Sequence, residues 1–364
     1  MCLSRFFRIV SVQGTPFEMG TDYGRETADL IRELIAHSKQ VYDCLQYSPE
    51  TIRRIRERHE DTFSAQAPEL IEEIRGMSNG AGVSYEQLMD ACLQREIRKA
   101  MSIDQDYCTT CLISGRATLT GTSIIGHNWD SRLSQEKAVV TVARPRSGSR
   151  FVTIGPVGRP GCEGINERGL TLFMTGVKQK RRIEIERGQD PLAIPSSWTH
   201  HILLAYSNCE DAIGYCKRIR GAAHGMTWAV GDSRGFSTVE ISCGQVNTTM
   251  YDAESSDPKD WIESTANHYV SPTLSELGPS PRESPGSYMR RERMISLLRA
   301  NIGKMNVNMV QGFLRDHYGQ FPICRHNDEQ SYTTISSEIG QPKEKRLWIA
   351  FGPPCRNRYE TFSL

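Results

Sequence analysis

The stretch Asp106-Tyr107-Cys108-Thr109-Thr110-Cys111 closes the first third of a chain of 364 residues. Before this stretch, apolar residues recur at helical spacing, as in residues 26–41. After it, short runs in which apolar and polar residues alternate are separated by glycine turns, which is typical of strands. Cys108 therefore lies at the junction between a helical region and a region rich in strands.

The elements on either side of this junction predict a layered fold. Before it, helices are expected at about 26–41, 48–59 and 68–77, and from Ser84, which forms a capping box with Gln87. After it, strands are expected at 110–114 and 123–126, as a hairpin that turns near Gly121, and at 137–143, 151–154, 169–175, 227–231, 235–242, 332–335 and 346–351. Further helices are expected at 198–220, 287–301 and 307–317, and a long surface loop at 271–287. Two groups of strands with helices before, between and after them are typical of sheets covered by helices.

The composition excludes several classes of partner. Lys and Arg total 44 against 43 Asp and Glu, so no overall field favours nucleic acid or an acidic membrane. No apolar run approaches the ~18 residues of a membrane span, and the amino terminus lacks the cleavage site of a signal peptide. The 11 cysteines have no framework spacing, which favours free thiols in a reducing compartment. We expect a cytoplasmic protein, because Phe362-Ser363-Leu364 is a poor match to a peroxisomal signal.

Cys108 and Cys111 have the spacing of a redox pair or of half a zinc site. A thioredoxin-type pair is followed by a helix, whereas strands are predicted here. Zinc would need a second pair of ligands at the usual spacing, and Cys209 and Cys216 are seven residues apart on a predicted helix. We therefore expect no metal site, and a buried unreactive pair remains an alternative to a reactive thiol.

A reactive Cys108 would gain a base if the chain were cut immediately before it. One residue would then supply both a thiol nucleophile and, as its own α-amine, the neighbouring base. The two groups have pKa values of about 8.5 and about 7.7–8.0, so a proton can pass between them near neutrality at little cost. This arrangement suits Cys108 as a nucleophile with its own base.

Six motifs carry a resemblance to a known family. They are Asp106-x-Cys108-Thr109-Thr110, Gly126-x-Asn128-Trp129-Asp130, Gly164-x-Asn166-Glu167-x-Gly169-Leu170, Glu240-Ile241-Ser242, Ala266-Asn267-His268 and Ile323-Cys324-Arg325. With these motifs in this order, the chain resembles the isopenicillin N acyltransferase family. The members of that family are cysteine-type N-terminal-nucleophile hydrolases. The resemblance implies an α+β fold, a four-layer αββα sandwich over residues 1–364. It also implies self-cleavage between Tyr107 and Cys108 into an α subunit, 1–107, and a β subunit, 108–364.

The resemblance also implies roles for individual residues. Cys108 would form a thioester acyl-enzyme, Asn267 would stabilise the oxyanion, and Asp130 would orient the new ammonium group. Thr110 would form hydrogen bonds near the nucleophile.

Four residues of the same motifs are candidates for substrate binding: Asn128, Trp129, Glu240 and Arg325. Glu240 and Arg325 are charges within apolar, strand-like sequence, so a structural ion pair is the alternative for them.

The implied function is transfer of an acyl group from acyl-CoA or an amide to an amine. The amine would be one resembling 6-aminopenicillanic acid, in secondary metabolism such as antibiotic biosynthesis. No cofactor is expected, acyl-CoA being a substrate, and the partners are a small-molecule acyl donor and an amine acceptor, with neither nucleic acid nor membrane. An amidohydrolase of the same fold and an uncleaved binding protein with an inert Cys108 remain as alternatives. The chain departs from the family at Tyr107, where the acyltransferase has glycine, and at 330–332, where an arginine is missing.

Overall fold

The computed structural model describes residues 7–100, 108–132, 137–159, 161–180, 198, 205–218, 225–242, 244–251, 255–326 and 332–364. Tyr107, the residue before the expected cleavage site, therefore lies outside the described residues. Within these ranges, no helix combines the length and the apolar content needed to cross a membrane.

The chain begins with a strand and a group of helices. Strand β1 (Phe7–Gly14) leads into helix α1 through Thr15, whose side chain caps the helix while Glu18 bonds back to the Thr15 backbone. The helices of this region are α1 (Pro16–Glu26), α2 (Ala28–Cys44), α3 (Pro49–Gln66), α4 (Pro68–Ala81) and α5 (Tyr85–Ala100). Each of α1, α3 and α4 has a proline in its first turn, where no backbone N–H is needed.

The second part of the chain supplies the other strands and four more described helices. The strands are β2 (Thr109–Ile113), β3 (Ile124–Arg132), β4 (Ala138–Pro145), β5 (Phe151–Pro156), β6 (Glu163–Asn166), β7 (Thr171–Val177), β8 (Gly225–Gly231), β9 (Phe236–Ser242), β10 (Gln245–Tyr251), β11 (Ile262–Thr265), β12 (Tyr332–Gln341), β13 (Arg346–Phe351) and β14 (Tyr359–Ser363). The helices are α6 (Cys209–Arg218), α7 (Pro272–Ser275), α8 (Pro285–Arg299) and α9 (Val307–Leu314).

The described strands form two sheets. One has eight strands in the order β1-β4-β5-β6-β7-β8-β9-β10, and the other has six in the order β11-β2-β3-β12-β13-β14. Neighbouring strands are antiparallel except for β1 and β4, which run parallel. β1 therefore occupies one edge of the larger sheet.

Three hydrophobic clusters show that the sheets and helices form four layers. The first joins α1–α6 to the outer face of the eight-stranded sheet, through residues such as Leu172 and Trp228. The second lies between the sheets and includes Leu112 and Phe173. The third joins α8 and α9 to the outer face of the six-stranded sheet, as at Leu314. The α+β, four-layer αββα architecture expected from the sequence is confirmed.

Helices α1 and α4 approach each other closely enough to bring their backbones into contact. A Cβ atom on Gly20 would lie 2.0 Å from the Glu73 carbonyl oxygen, and one on Gly76 would lie 2.1 Å from that of Phe17. Real Cβ atoms do not approach backbone this closely, so only glycine fits at these positions. These glycines therefore set the spacing between the first and fourth helices.

The predicted elements are mostly present, and their boundaries show where local sequence was insufficient. The hairpin of β2 and β3 turns at Gly121, whose φ of +69° suits glycine. Strands β1, β6, β10, β11 and β14 were not predicted, and β12 extends six residues beyond the predicted end at 335. The predicted loop at 271–287 contains α7 and the start of α8. Part of the helix predicted at 198–220 lies outside the described residues.

Candidate active site

Cys108 immediately precedes β2 and faces the space between the sheets. It is 2 % exposed and packs in the same cluster as Trp129 and Leu112. Cys111 packs in the outer cluster instead, beside α9. Because the two thiols belong to opposite faces of the smaller sheet, they cannot form a redox pair or share a metal ion. Burial raises the pKa of the Cys111 thiol to about 12, so this thiol stays protonated.

Arg290 of α8 connects Cys108 to Asn267. Its Nη1 donates to the Cys108 carbonyl oxygen at 2.5 Å and to Thr109 Oγ1 at 2.6 Å, and its Nη2 donates to Asn267 Oδ1 at 2.7 Å. The side chain is 1 % exposed, so its positive charge is held inside the protein by these acceptors. The sequence reasoning missed Arg290, which lies in a helix with several other arginines and resembles a solvated residue.

The amide of Asn267 has a defined orientation. Its Oδ1 accepts from Arg290, so its Nδ2 is directed the other way and donates to the Gly176 carbonyl oxygen at 2.8 Å. The backbone N–H of Asn267 donates to Ser287 Oγ at 2.7 Å. Asn267 thereby links the smaller sheet, through β11, to β7 of the larger sheet.

Glu240 anchors the turn that follows Asn267. Its carboxylate accepts from the backbone N–H groups of Val270 and Ser271, and Tyr269 donates to the Ile241 carbonyl oxygen at 2.6 Å. Within the described residues these amides, and not a guanidinium group, are the partners of Glu240. Among the described residues, two backbone donors therefore compensate the buried charge of Glu240, and the ion pair considered as an alternative is not seen.

Asp130 is a residue of β3 and lies beside the amino end of the neighbouring strand β2. Asn128 pairs with Thr109 across the antiparallel hairpin, and Asp130 follows two residues later on β3. Thr334 donates to Asp130 Oδ1 at 2.7 Å, while Oδ2 is buried without a hydrogen-bond partner among the described residues. Burial raises the pKa of Asp130 to about 6, although the positive charges of Arg325 and Arg290 oppose this shift.

A buried histidine beside Cys108 was also missed. His127 Nδ1 lies 2.9 Å from Glu338 Oε2 and 3.0 Å from Glu163 Oε2. Burial lowers the pKa of His127, but the charge of Glu163 and hydrogen bonds to Cys108, Glu163 and Glu338 outweigh it and raise the pKa well above the usual value. The imidazolium therefore lies next to the thiol, held by one carboxylate from each sheet. Glu163 lies on β6 and Glu338 on β12.

Thr110 contacts the neighbouring strand. Its Oγ1 lies 2.5 Å from Thr265 Oγ1 and accepts from the Thr265 N–H at 3.2 Å. Thr265 lies two residues before Asn267, so Thr110 supports the segment that carries Asn267. The side chain that accepts from Arg290 together with the Cys108 carbonyl oxygen is that of Thr109, not Thr110.

The remaining predicted residues are divided between the core and the region of Asp130. Asn128 donates to the carbonyl oxygens of Leu314 and Ile323 at 2.9 and 3.0 Å, so its amide holds the chain segment after α9. Trp129 packs between the sheets with Cys108. Arg325 is 6 % exposed and acts on Asp130 through its charge.

Two groups of side chains in the described part of the chain could hold a metal ion. In one, His127, Glu163 and Glu338 already bond to each other, which accounts for their proximity. The other lies outside this site, at His317, Cys324, His326 and Cys355. A cavity of about 690 Å³ lies elsewhere, lined by residues such as Asp232 and Tyr251, and Cys108 does not line it.

The four-layer αββα fold is of the N-terminal-nucleophile hydrolase type, and Cys108 lies buried at the start of an inner strand of this fold. A family model described as "Acyl-coenzyme A:6-aminopenicillanic acid acyl-transferase" matches residues 118–356. This match covers more than half of the chain, and the chain therefore belongs to that acyltransferase family. The matched region begins after Cys108 and contains Asp130, Asn267 and Arg290.

Solved structures with a lower similarity were also found. The C2A mutant of conjugated bile acid hydrolase from Clostridium perfringens is 14% identical, with 71% of this chain and 97% of that chain covered and a TM-score of 0.45. Penicillin V acylase from Agrobacterium tumefaciens is 14% identical, with coverages of 67% and 83% and a TM-score of 0.43. The Caenorhabditis elegans ortholog of N-acylethanolamine-hydrolyzing acid amidase is 12% identical, with coverages of 65% and 93% and a TM-score of 0.46.

Proposed function

We propose that this enzyme cuts its own chain before Cys108 and then transfers acyl groups through that thiol. In the first reaction, the thiol adds to the carbonyl carbon of Tyr107. The bond to the Cys108 nitrogen breaks, the nitrogen takes the proton, and a thioester forms. Water then hydrolyses the thioester, which releases the Tyr107 carboxylate and restores the thiol.

The observation that carries this proposal is the buried Oδ2 of Asp130, which has no hydrogen-bond partner among the described residues and lies near the amino end of β2. A buried carboxylate oxygen without a donor is costly, even though the other oxygen accepts from Thr334. Cleavage would create an ammonium group on Cys108 beside it and supply the missing donor and charge. Asp130 would thereby favour the cleaved form and hold the α-amine in place as the base for later turnovers.

His127 supports the first attack, before any α-amine exists. In the uncleaved chain the nitrogen of Cys108 is an amide and cannot act as a base. An imidazolium next to a thiol stabilises the thiolate, as in other cysteine enzymes. We therefore assign His127 to the activation of Cys108 for cleavage, with Glu163 and Glu338 keeping it charged.

In each turnover the thiolate would attack the acyl donor, form a thioester and expel the leaving group with a proton from the α-ammonium. An acceptor amine would then attack the thioester, form the new amide and return the proton to the thiol. Both steps pass through an oxyanion. Asn267 Nδ2 has two N–H bonds and uses one for Gly176, so the second suits this oxyanion.

Cleavage is tested by intact mass and denaturing electrophoresis of the purified chain. We expect two fragments that meet at Tyr107/Cys108, and a single species for Cys108→Ala. Cys111→Ala is the matched control, since this cysteine lies three residues away on the opposite face, and it should be cleaved normally. Uncleaved wild-type protein that is fully active would refute the proposal.

The second reaction is tested with acyl-CoA and N-acyl amide donors, with and without an amine acceptor. The family description makes 6-aminopenicillanic acid the first acceptor to try, in keeping with a role in secondary metabolism. Product masses should show a new amide only when the acceptor is present. Free acid released at the same rate with and without acceptor would instead identify an amidohydrolase.

A further inference from the structure

Four side chains of types that bind metal ions converge around the two residues that flank Arg325 in the sequence. They are His317, Cys324, His326 and Cys355, and their nitrogen and sulfur atoms all lie within 4.8 Å of one another. His326 Nε2 is central: it lies 2.8 Å from His317 Nε2, 3.1 Å from Cys355 Sγ and 3.7 Å from Cys324 Sγ. Both cysteines are free thiols.

The four residues come from two separate parts of the chain. His317, Cys324 and His326 follow α9, whereas Cys355 lies in the turn between β13 and β14. A hydrogen bond joins the same two segments, since Arg315 Nε donates to the Pro354 carbonyl oxygen at 2.9 Å. The fold therefore brings the donors together independently of any metal ion.

We propose that these residues form a structural zinc site. Two thiolates and two imidazoles are a common ligand set for structural zinc. With Zn–S bonds of about 2.3 Å and Zn–N bonds of about 2.0–2.1 Å, tetrahedral ligand atoms lie about 3.3–3.8 Å apart. The third separation from His326 Nε2, 3.7 Å, lies within this range, whereas the other two, 2.8 and 3.1 Å, are shorter, so the exposed His317 and Cys355 side chains would move away from His326 by about 0.5 Å on binding. Four protein ligands fill the coordination sphere, so the ion would have no open position for a substrate.

The zinc site would support the candidate active site through Arg325. This residue lies between the ligands Cys324 and His326, and its backbone N–H donates to Thr334 Oγ1 at 2.9 Å. Thr334 in turn donates to Asp130 Oδ1 at 2.7 Å. A metal ion that fixes both neighbours of Arg325 would fix the charge and the hydroxyl that face Asp130.

The site is tested by measuring the zinc content of the full chain purified without chelators. We expect about one zinc per chain, lost in Cys355→Ala and in His317→Ala. Cys44→Ala is the matched control, since Cys44 is another exposed free cysteine, and it should keep the metal. The same measurement on Cys108→Ala should give the same zinc content, so the result does not depend on the proposed acyl transfer.

Cobalt substitution provides a second measurement if a variant fails to fold. Wild-type chain that has been stripped of metal and titrated with Co²⁺ should show the absorption of a tetrahedral site and thiolate-to-cobalt charge-transfer bands. Wild-type chain with no bound zinc and no cobalt spectrum would overturn the proposal. A disulfide between Cys324 and Cys355 in protein purified under reducing conditions would overturn it as well.

Discussion

Replacement of Asp130 by asparagine in the uncleaved Cys108→Ala chain isolates the cost of burying the ionised Asp130 carboxylate. Burial raises the pKa of Asp130 from 3.8 to about 6, a change of about two units. At about 1.4 kcal/mol per unit, the ionised side chain costs the folded state about 3 kcal/mol at pH 8. Asparagine keeps an oxygen that can accept from Thr334 and carries no charge, so this cost disappears.

The sign follows from proton binding. A carboxyl group with a raised pKa binds its proton more tightly in the folded chain, so stability falls as the pH rises from about 4 to about 6. Above that range the cost is constant, and at pH 5 it is about half as large. The stability gained by Asp130→Asn should therefore be about 1.5 kcal/mol larger at pH 8 than at pH 5.

Urea denaturation at the two pH values measures this difference. Asp29→Asn is the control: the hydrogen bond from Arg8 lowers the pKa of Asp29, so the contribution of this carboxylate is lost only below about pH 4, and the effect of the substitution should be equal at the two pH values. An Asp130→Asn effect that is equal at both pH values would refute the reasoning. In the chain that retains Cys108, the same substitution should slow cleavage or turnover, because the stabilising change removes the partner of the ammonium group.

Further substitutions test the neighbouring features. Arg290→Met should cost at least about 3 kcal/mol in urea denaturation, since three buried acceptors lose their donor at about 1–3 kcal/mol each, and it should lower turnover about 10²–10³-fold, since Asn267 loses its orientation. Gly76→Ala should destabilise the chain by about 1–3 kcal/mol, whereas Gly312→Ala, in a helix with open space, should stabilise it by up to ~1 kcal/mol; equal effects would contradict the proposed helix contact. NMR titration should show His127 as an imidazolium above pH 7, and Glu163→Gln should lower the pKa of His127. An unchanged pKa in this variant would show that Glu163 does not stabilise the charge of His127.

The layered fold could be predicted because its main signals are local. Apolar spacing marks α2–α5, and the hairpin of β2 and β3 has its glycine at the turn. The strands that were missed depend on partners elsewhere in the chain. β11 has only four residues, and β1 is an edge strand in which Ile9 is 49 % exposed, so neither has a strong pattern of its own.

The candidate site was predictable to the extent that motifs carry it. Cys108, Asp130 and Asn267 were named from the sequence, and the structure brings them to the same end of the smaller sheet. His127 lies inside one of the motifs, at a position left unspecified, and its partner Glu338 is 211 residues away. Such a distant pairing leaves no trace in local spacing, and the same holds for the bonds of Arg290.

The pairing of β1 with β4 has a consequence for the two fragments that cleavage would produce. Residues 7–14 of the first fragment pair in register with residues 138–145 of the second, and α1–α5 cover the sheet that the second fragment builds. Separation of the two fragments would expose the unpaired edge of β4 and a large hydrophobic surface at the same time. The two fragments of the cleaved protein should therefore copurify as a heterodimer until they are denatured. They should reassemble only when both fragments refold together.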